Sequence, residues 1–508
     1  MRRISPRAFW PAALSVLLTC SDGSNGGTAP PPAPPAGSRA PNIIFIMSDD
    51  EDIGIHSFLP KTKAKLQDRG TILSNFFVTY SLCCPSRASI LRGQYPHNTK
   101  VESNSLPAGG YLRFRNLGRE QATIATWLKA AGYRTYLAGK YMNGYGFGVV
   151  GPAPPGWIQW SAGIGDQPFN GFNYSIDENG TFVRYGSAPS DYLTDVITRK
   201  ATAAIRQAAH DSVPLFLFLT PFTPHLPAVA APRHAGLFSS TQLPTPANFN
   251  EADVSDKPIA IRSRPLLGST EIAGLTTLYQ KRLRSLQAID DLVDSVVATL
   301  EKLNLLNKTW IFYTSDNGFH LGEHRGLQGK NLPYEEDLRV PFVVRGPGVP
   351  AGRVVTQVGL NIDLAATLMD IAGGTATVPQ DGRSLLPLLK GASPPSWRQS
   401  FEAERGPDDT AAIFLRTEST HPQVEAGDAM ERFPGTGWNA IRTGRWKYVE
   451  WETGERELYD LQTDPFEMTN LFFIQGDTSA VPVLQTRLHQ LMTCAGPSCA
   501  MLEELPVP

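Results

Sequence analysis

Three features that would point to particular classes of protein are missing from this sequence. The 508 residues include only five cysteines, so the chain is not a scaffold built on a dense disulfide framework. The formal net charge is -2, so there is no overall basic field and nucleic acid is not expected as a partner. Beyond the N-terminal residues, no apolar run is long enough to cross a membrane. The rest is ordinary globular composition, with 41% hydrophobic and 19% charged residues.

The N-terminus has the pattern of an export signal. Residues 1–20 begin with several basic side chains, and residues 9–18 form an apolar stretch too short to span a bilayer. The basic residues are Arg2, Arg3 and Arg7. We therefore predict a signal peptide over residues 1–20 and a protein exported from the cytoplasm.

The apolar stretch ends in the sequence Leu-Leu-Thr-Cys, which is similar to a bacterial lipoprotein box. Thr19 stands where a smaller residue is usual, so lipidation of Cys20 and simple cleavage both stay open. Residues 21–41 are rich in Gly, Ser, Ala and Pro and are predicted to be a flexible tether. The protein would then be secreted, periplasmic or lipid-anchored through Cys20.

From residue 42 onward, apolar runs alternate with helical patterns. The predicted strands are residues 43–47, 133–138, 215–219 and 310–313. The helices predicted before the last three of them are residues 122–131, 191–209 and 269–303. Continuous apolar runs are typical of strands buried on both faces. The alternation therefore predicts an α/β fold with a large, mostly parallel sheet between two layers of helices.

We assign residues 42–395 to a catalytic domain and residues 396–508 to a smaller C-terminal α+β subdomain with a small antiparallel sheet. In parallel sheets, functional sites gather outside the carboxyl ends of the strands. Polar residues cluster at those ends here. They are Asp49, Asp50, Lys140, His225, Asp316 and Asn317.

The most specific local pattern is Cys-Cys-Pro-Ser-Arg-Ala-Ser-Ile-Leu-Arg-Gly, residues 83–93. Pro85 suits the first turn of a helix and Gly93 suits its end, so Cys83 is predicted just before a helix N-terminus. The free N–H groups there favour an anion, and Arg87 lies one turn further along. The alternative is a buried thiol pair with no chemical role.

This pattern resembles the signature of the type I sulfatases, and other segments between residues 42 and 471 resemble the same family. Gly-Lys-Tyr-Met-Asn at 139–143 and the segment 315–322 are closest to the N-acetylglucosamine-6-sulfatase and arylsulfatase group. The resemblance implies an alkaline-phosphatase-like fold and conversion of Cys83 into Cα-formylglycine (3-oxoalanine). It also implies a formylglycine-generating or other maturing enzyme as a partner.

The acidic residues at the strand ends are the family's metal ligands by this resemblance. Hard oxygen ligands suit Ca²⁺, which we expect, or Mg²⁺. Taken alone, a pair of aspartates after a strand is more often a solvated turn. The implied ligands are Asp49, Asp50, Asp316, Asn317 and an oxygen of modified Cys83.

Cationic and polar residues complete the implied site. Arg87, Lys140 and Lys330 would bind the sulfate oxygens, and His225 would bind sulfate or protonate the leaving alcohol. Asn143 and His320 are implied in substrate binding. Many arylsulfatases have a second histidine where this sequence has Met142, so the identity of the leaving-group acid stays open.

The implied reaction is hydrolysis of a carbohydrate or aryl sulfate ester, with a hydroxyl of the hydrated aldehyde attacking the sulfur. Metal-dependent phosphodiesterases and phosphonate hydrolases share the fold and are one alternative. A non-catalytic protein that binds sulfated glycans is another. Of the remaining cysteines, Cys494 and Cys499 are expected to pair in an oxidising compartment, whereas adjacent Cys83 and Cys84 are not.

Overall fold

A ten-stranded sheet, a four-stranded sheet and one two-stranded pair organise the part of the chain that the computed structural model describes, residues 40–147, 151–406, 437–475 and 479–508. These residues belong to one compact unit, Arg39–Pro508. The predicted signal peptide, Cys20 and nearly all of the predicted tether lie outside them. Within the same ranges, no helix combines the length and apolarity that a membrane crossing requires.

The strands of the described residues are β1 (Asn42–Ser48), β2 (Thr71–Leu73), β3 (Phe76–Phe77), β4 (Arg134–Gly139), β5 (Gln159–Gly163), β6 (Ser175–Glu178), β7 (Thr181–Arg184), β8 (Leu215–Thr220), β9 (Thr309–Ser315), β10 (Phe342–Arg345), β11 (Arg353–Val355), β12 (Gly359–Leu360), β13 (Ser400–Arg405), β14 (Trp438–Thr443), β15 (Trp446–Trp451) and β16 (Arg456–Asp460).

The α-helices of the described residues are α1 (Pro60–Lys65), α2 (Cys83–Arg92), α3 (Pro96–Thr99), α4 (Gly110–Asn116), α5 (Ile124–Ala130), α6 (Leu193–Asp211), α7 (Ile259–Arg262), α8 (Ser269–Lys302), α9 (Glu335–Leu338), α10 (Asp363–Ala372), α11 (Leu386–Leu389), α12 (Leu471–Gln475), α13 (Val481–Leu491) and α14 (Pro497–Glu504).

The larger sheet has ten described strands in the order β11-β2-β10-β9-β1-β8-β4-β5-β6-β7. Its centre is parallel, since β1 pairs with β8 and β9, and β8 pairs with β4, all in the same direction. Antiparallel neighbours lie toward the edges, such as β10 against β9 and β6 against β5. The predicted α/β fold with a large, mostly parallel sheet is confirmed.

Alternate residues of β1 enter two separate hydrophobic cores, one on each face of the sheet. Ile43 and Phe45 belong to the first core, and Ile44 and Ile46 to the second. Helices α2, α5 and α10 cover the first face, and α6 and α8 cover the second. Because period-2 alternation sends side chains to both faces, a strand covered on both sides reads as a continuous apolar run, as residues 43–47 of β1 do between polar Asn42 and Ser48.

The smaller sheet is antiparallel, with β13, β14, β15 and β16 pairing in chain order. Residues of this sheet, such as Phe401 and Tyr448, share the first core with the large sheet, as does Leu484 of α13. The predicted C-terminal antiparallel sheet is therefore confirmed. The position of the predicted boundary near residue 395 stays a prediction.

The cysteines take two different states. Cys494 and Cys499, five residues apart, form a disulfide that joins the loop after α13 to α14. Cys83 and Cys84 are free and buried. Helix α2 begins at Cys83 itself, one residue earlier than predicted, because the N–H of Ser86 already donates to the carbonyl of Leu82 at 3.0 Å.

Candidate active site

Four adjacent parallel strands end at one edge of the large sheet and supply most of the predicted site residues. Asp49 and Asp50 follow β1, and Asp316 and Asn317 follow β9. Lys140 follows β4, and His225 follows β8 after a short turn. A backbone bridge between Asp49 and Pro224 holds the β8 turn against the end of β1. The order β9-β1-β8-β4 therefore brings residues far apart in sequence into one cluster.

Helix α2 points its N-terminus into this cluster and places Cys83 at the centre. The thiol lies 3.4 Å from Asp49 Oδ1 and 3.8 Å from Asp50 Oδ1, and Lys330 Nζ donates to its sulfur at 2.8 Å. Burial raises the pKa of the Cys83 thiol well above its ordinary value, despite the opposing effect of Lys140 and Lys330. The unmodified side chain is therefore a neutral thiol at physiological pH and not a thiolate.

The three carboxylates of the cluster are fully buried, and their pKa values are shifted in different directions. Burial would raise the pKa of Asp49 and of Asp50, but neighbouring cations lower both. Lys140 has the largest lowering effect on Asp49, and Lys330 on Asp50. The pKa of Asp316 is raised by burial and by the negative charge of Asp49. Crowded carboxylates of this kind favour a nearby positive charge.

Two lysines balance part of this charge. Lys140 Nζ donates to both oxygens of Asp49, at 2.7 and 3.0 Å. Lys330 Nζ donates to Asp50 Oδ1 at 2.6 Å. Both lysines are at most 5% exposed, so the ammonium groups remain in the site instead of moving into solvent. An ester with an anionic head group would find both cations within reach of Cys83.

Arg87 and His225 close the cluster on two further sides. Arg87 Nε donates to Asp316 Oδ2 at 2.8 Å, and its Nη1 donates to the carbonyl of Lys140 at 2.9 Å. His225 Nδ1 faces the carbonyl of Leu226 at 2.8 Å, so this nitrogen is the donor and Nε2 faces Asp50 at 3.5 Å. An Nε2 in this position can deliver a proton into the site when the ring is charged.

The donor set fits a hard divalent cation. The Nδ2 of Asn317 donates to Asp50 Oδ1 at 2.7 Å, while its Oδ1 is buried and has no hydrogen-bond partner among the described residues. This oxygen is an acceptor that lacks a donor or a cation. Together with three carboxylates, it forms the all-oxygen set that Ca²⁺ or Mg²⁺ prefers.

A pocket of about 250 Å³ adjoins the cluster, and aromatic side chains form part of its walls. Lys140, His225 and Asn143 line it together with Tyr111 and Phe169. The Phe169 ring lies 4.4 Å from the His225 ring and 5.0 Å from Lys140 Nζ. Sequence reasoning missed Phe169, because it belongs to a short 3₁₀ turn (Gln167–Asn170) outside every recognisable motif.

His320 is not among the described residues that line this pocket. It is 2% exposed, and its Nδ1 lies 2.8 Å from Asp337 Oδ1. Its backbone forms two hydrogen bonds with Gly329, the residue before Lys330, at 2.8 and 3.1 Å. The structure thus places His320 where it holds the Lys330 loop, and its assignment to substrate binding stays a prediction.

Gly139, which directly precedes Lys140, lies where a larger residue would meet the backbone of β8. Its φ is +128°, and a Cβ atom there would lie 2.0 Å from the carbonyl oxygen of Thr220 on β8. We expect Gly139→Ala to lower the free energy of unfolding by about 3 kcal/mol or more and to displace Lys140. Gly132→Ala is the control. The φ of Gly132 is +87°, but no atom lies within 4 Å of the position that an added Cβ would take, so the substitution should lower the free energy of unfolding by only about 1 kcal/mol. Urea unfolding of both variants measures the difference, and equal losses would contradict it.

The mostly parallel sheet with helices on both faces is an alkaline-phosphatase-like α/β fold. The Sulfatase family model matches residues 41–374, and the chain belongs to the sulfatase family, a family of sulfuric ester hydrolases. It is 34% identical to the N-acetylglucosamine-6-sulfatase of Homo sapiens, over 98% of this chain and 92% of that protein. It is also 34% identical to the arylsulfatase of Volvox carteri, over 91% of this chain and 76% of that protein.

A solved structure has the same fold. BT4656, in complex with its substrate D-glucosamine-2-N,6-O-disulfate, superimposes with a TM-score of 0.71 at 24% identity. The likeness covers 89% of this chain and 97% of that one. The predicted membership of the sulfatase family, close to its N-acetylglucosamine-6-sulfatases and arylsulfatases, is confirmed.

Proposed function

We propose that this sulfatase hydrolyses sulfate esters of sugars or aryl alcohols, with an aldehyde made from Cys83 as the source of its nucleophile. The observation that carries the proposal is the position of Cys83. Its sulfur lies at a buried helix N-terminus, 2.8 Å from Lys330 Nζ and 3.4 Å from Asp49 Oδ1. A catalytic nucleophile needs this setting of cations and acceptors within hydrogen-bond reach.

A divalent metal completes the proposed site, and Ca²⁺ is the ion we expect, with Mg²⁺ as the alternative. Asp49, Asp50, Asp316, Asn317 and an oxygen of modified Cys83 would hold it. When bound, such an ion acts as a Lewis acid that stabilises negative charge on the reacting oxygens. The buried Asn317 Oδ1, which lacks a partner among the described residues, supports this assignment.

Side chains of the protein itself would neutralise the charge of the sulfate group and protonate the leaving alcohol. Lys140, Lys330 and Arg87 neutralise the sulfate oxygens, because all three are buried and point into the cluster. His225 Nε2 protonates the oxygen of the departing alcohol, since its Nδ1 is already committed to the Leu226 carbonyl. Phe169 orients both His225 and Lys140 by packing against them.

The pocket supports a small, weakly charged leaving group. Tyr111, Tyr145, Phe147 and Phe169 supply aromatic surface that can cover a sugar ring or an aryl ring. Among the described lining residues, Lys140 and His225 supply the basic groups, whereas Asp166 adds an acidic one. A long, highly sulfated chain would need more positive charge along its path than this pocket provides.

We also propose that the protein is exported and is matured by an enzyme that oxidises Cys83. The signal-like pattern of residues 1–20 and the Cys494–Cys499 disulfide both support an oxidising destination. Whether Cys20 carries a lipid is decided by the mass of the mature N-terminus.

Matched aryl esters test the reaction class. We expect kcat/KM for an aryl sulfate to exceed that for the corresponding aryl phosphate or phosphonate by about 100-fold or more. The phosphate carries a second negative charge at neutral pH, and the phosphonate offers the cations one terminal oxygen fewer. Initial rates with each ester, measured with and without a chelator, provide the comparison. A faster reaction on the phosphonate would favour the phosphonate hydrolase alternative and overturn the proposed substrate class.

A further inference from the structure

A second cluster of metal-ligand atoms lies where α3 meets β13. It consists of His97, Glu402 and Glu404, whose ligand atoms all lie within 4.8 Å of one another. His97 Nδ1 is 2.9 Å from Glu404 Oε1 and 3.7 Å from Glu402 Oε2. The cluster shares no residue with the Asp49, Asp50, Cys83 and His225 group of the candidate active site.

Glu402 is the member that points to a missing ligand. Its side chain is 0% exposed, and neither carboxylate oxygen has a hydrogen-bond partner among the residues that the structure describes. A buried carboxylate without hydrogen bonds is strongly disfavoured unless it is paired or coordinates a metal. The cation that approaches Glu402 is His97, whose Nδ1 lies 3.7 Å from Glu402 Oε2, beyond hydrogen-bond distance.

The ring of His97 has the orientation of a metal ligand. Its Nε2 lies 3.0 Å from the carbonyl oxygen of Cys494, which can only accept, so Nε2 carries a proton. Its Nδ1 lies 2.9 Å from Glu404 Oε1, so without a metal this nitrogen carries a second proton, which a metal ion would replace. Nδ1 is thereby directed at the two glutamates. A histidine that binds a metal through one nitrogen usually donates from the other to a carbonyl or carboxylate in this way. The disulfide between Cys494 and Cys499 secures the loop that provides this carbonyl.

We propose that His97 Nδ1, Glu402 and Glu404 bind a structural divalent transition-metal ion of the zinc type. One nitrogen and two carboxylate ligands favour such an ion over Ca²⁺, which prefers oxygen alone. Binding releases any proton on Nδ1 to solvent and leaves the neutral ring as the ligand. The ion would tie α3, which follows the Cys83 helix in the chain, to β13 and to the disulfide loop.

Zinc binding by the full-length protein tests this site. Wild type and variants are stripped with a chelator, dialysed against Zn²⁺ with Ca²⁺ in large excess, and analysed for bound zinc. Wild type should retain one zinc ion per chain more than Glu402→Gln and His97→Gln. The thermal midpoint of the wild type should rise with Zn²⁺, whereas the midpoints of Glu402→Gln and His97→Gln should stay unchanged. Glu102→Gln is the matched control, since Glu102 is a half-buried neighbour of Glu404 outside the cluster and its replacement should leave zinc binding unchanged.

A spectroscopic measurement keeps the proposal testable if those variants fold poorly. With Mn²⁺ as the probe, the full-length His225→Gln protein should show pulsed-EPR coupling to a histidine nitrogen, because the second cluster is the other group of three or more potential metal ligands among the described residues. Absence of that coupling would overturn the proposal. Equal zinc binding by wild type and a folded Glu402→Gln would also overturn it and would identify Glu402 as a protonated acid beside charged His97.

Discussion

Replacing Cys83 with serine should reduce sustained turnover of sulfate esters by about 10⁴-fold or more. Serine keeps the shape of the residue at the start of α2, but a maturing enzyme that oxidises the Cys83 thiol would leave a serine hydroxyl unchanged, so the aldehyde on which the proposed chemistry depends would not form. The surrounding carboxylates and lysines would remain, so substrate binding should survive the change. Steady-state kinetics on an aryl sulfate, together with binding of the same ester, separate the two effects.

Cys84→Ser is the matched control for this variant. Cys84 is the next residue of the same helix and is also a free, buried cysteine, so the two substitutions have similar structural costs. We expect Cys84→Ser to retain activity within about tenfold of wild type, because its side chain takes no part in the proposed chemistry. Multiple turnovers by Cys83→Ser at a comparable rate would contradict the role given to Cys83.

Asp316→Asn should lower kcat/KM by about 100- to 10,000-fold and raise the Ca²⁺ concentration needed for half-maximal activity. The substitution removes one of three buried carboxylates and leaves Arg87 without the charge that its Nε contacts at 2.8 Å. A titration of chelator-treated enzyme with Ca²⁺ measures both effects, and wild type should regain its activity in the same titration.

Asp68→Asn is the control for the loss of a negative charge. Asp68 is half-exposed and pairs with Lys63 on the surface, where an ion pair contributes little. Its replacement should change neither kcat/KM nor the Ca²⁺ requirement. If Asp316→Asn behaved like Asp68→Asn, the carboxylates at the strand ends would not be the metal ligands of this enzyme.

The sequence was informative wherever a local pattern determines structure. Strand β1 was predictable because a strand covered on both faces reads as a continuous apolar run. Residues 43–47 form such a run because their side chains enter two hydrophobic cores, one on each face of the sheet. The carboxyl-end rule for parallel sheets then placed Asp49, Asp50, Asp316 and Asn317 together.

Features that depend on packing between distant segments could not be predicted in this way. Phe169 contacts His225 and Lys140 through a turn with no motif. The contact between His97 and Glu402 joins two segments with no shared pattern, and only the fold brings them together. The start of α2 differed by one residue, because the carbonyl of Leu82 accepts the first bond of the helix.

The account depends most directly on the chemical state of Cys83. The peptide that carries this residue can be isolated from protein made in a host with the oxidising machinery and examined by mass spectrometry. We predict the mass of the aldehyde or its hydrate at Cys83, with an unchanged thiol at Cys84 in the same peptide. An unmodified thiol at both positions, in protein that still hydrolyses sulfate esters, would contradict the account.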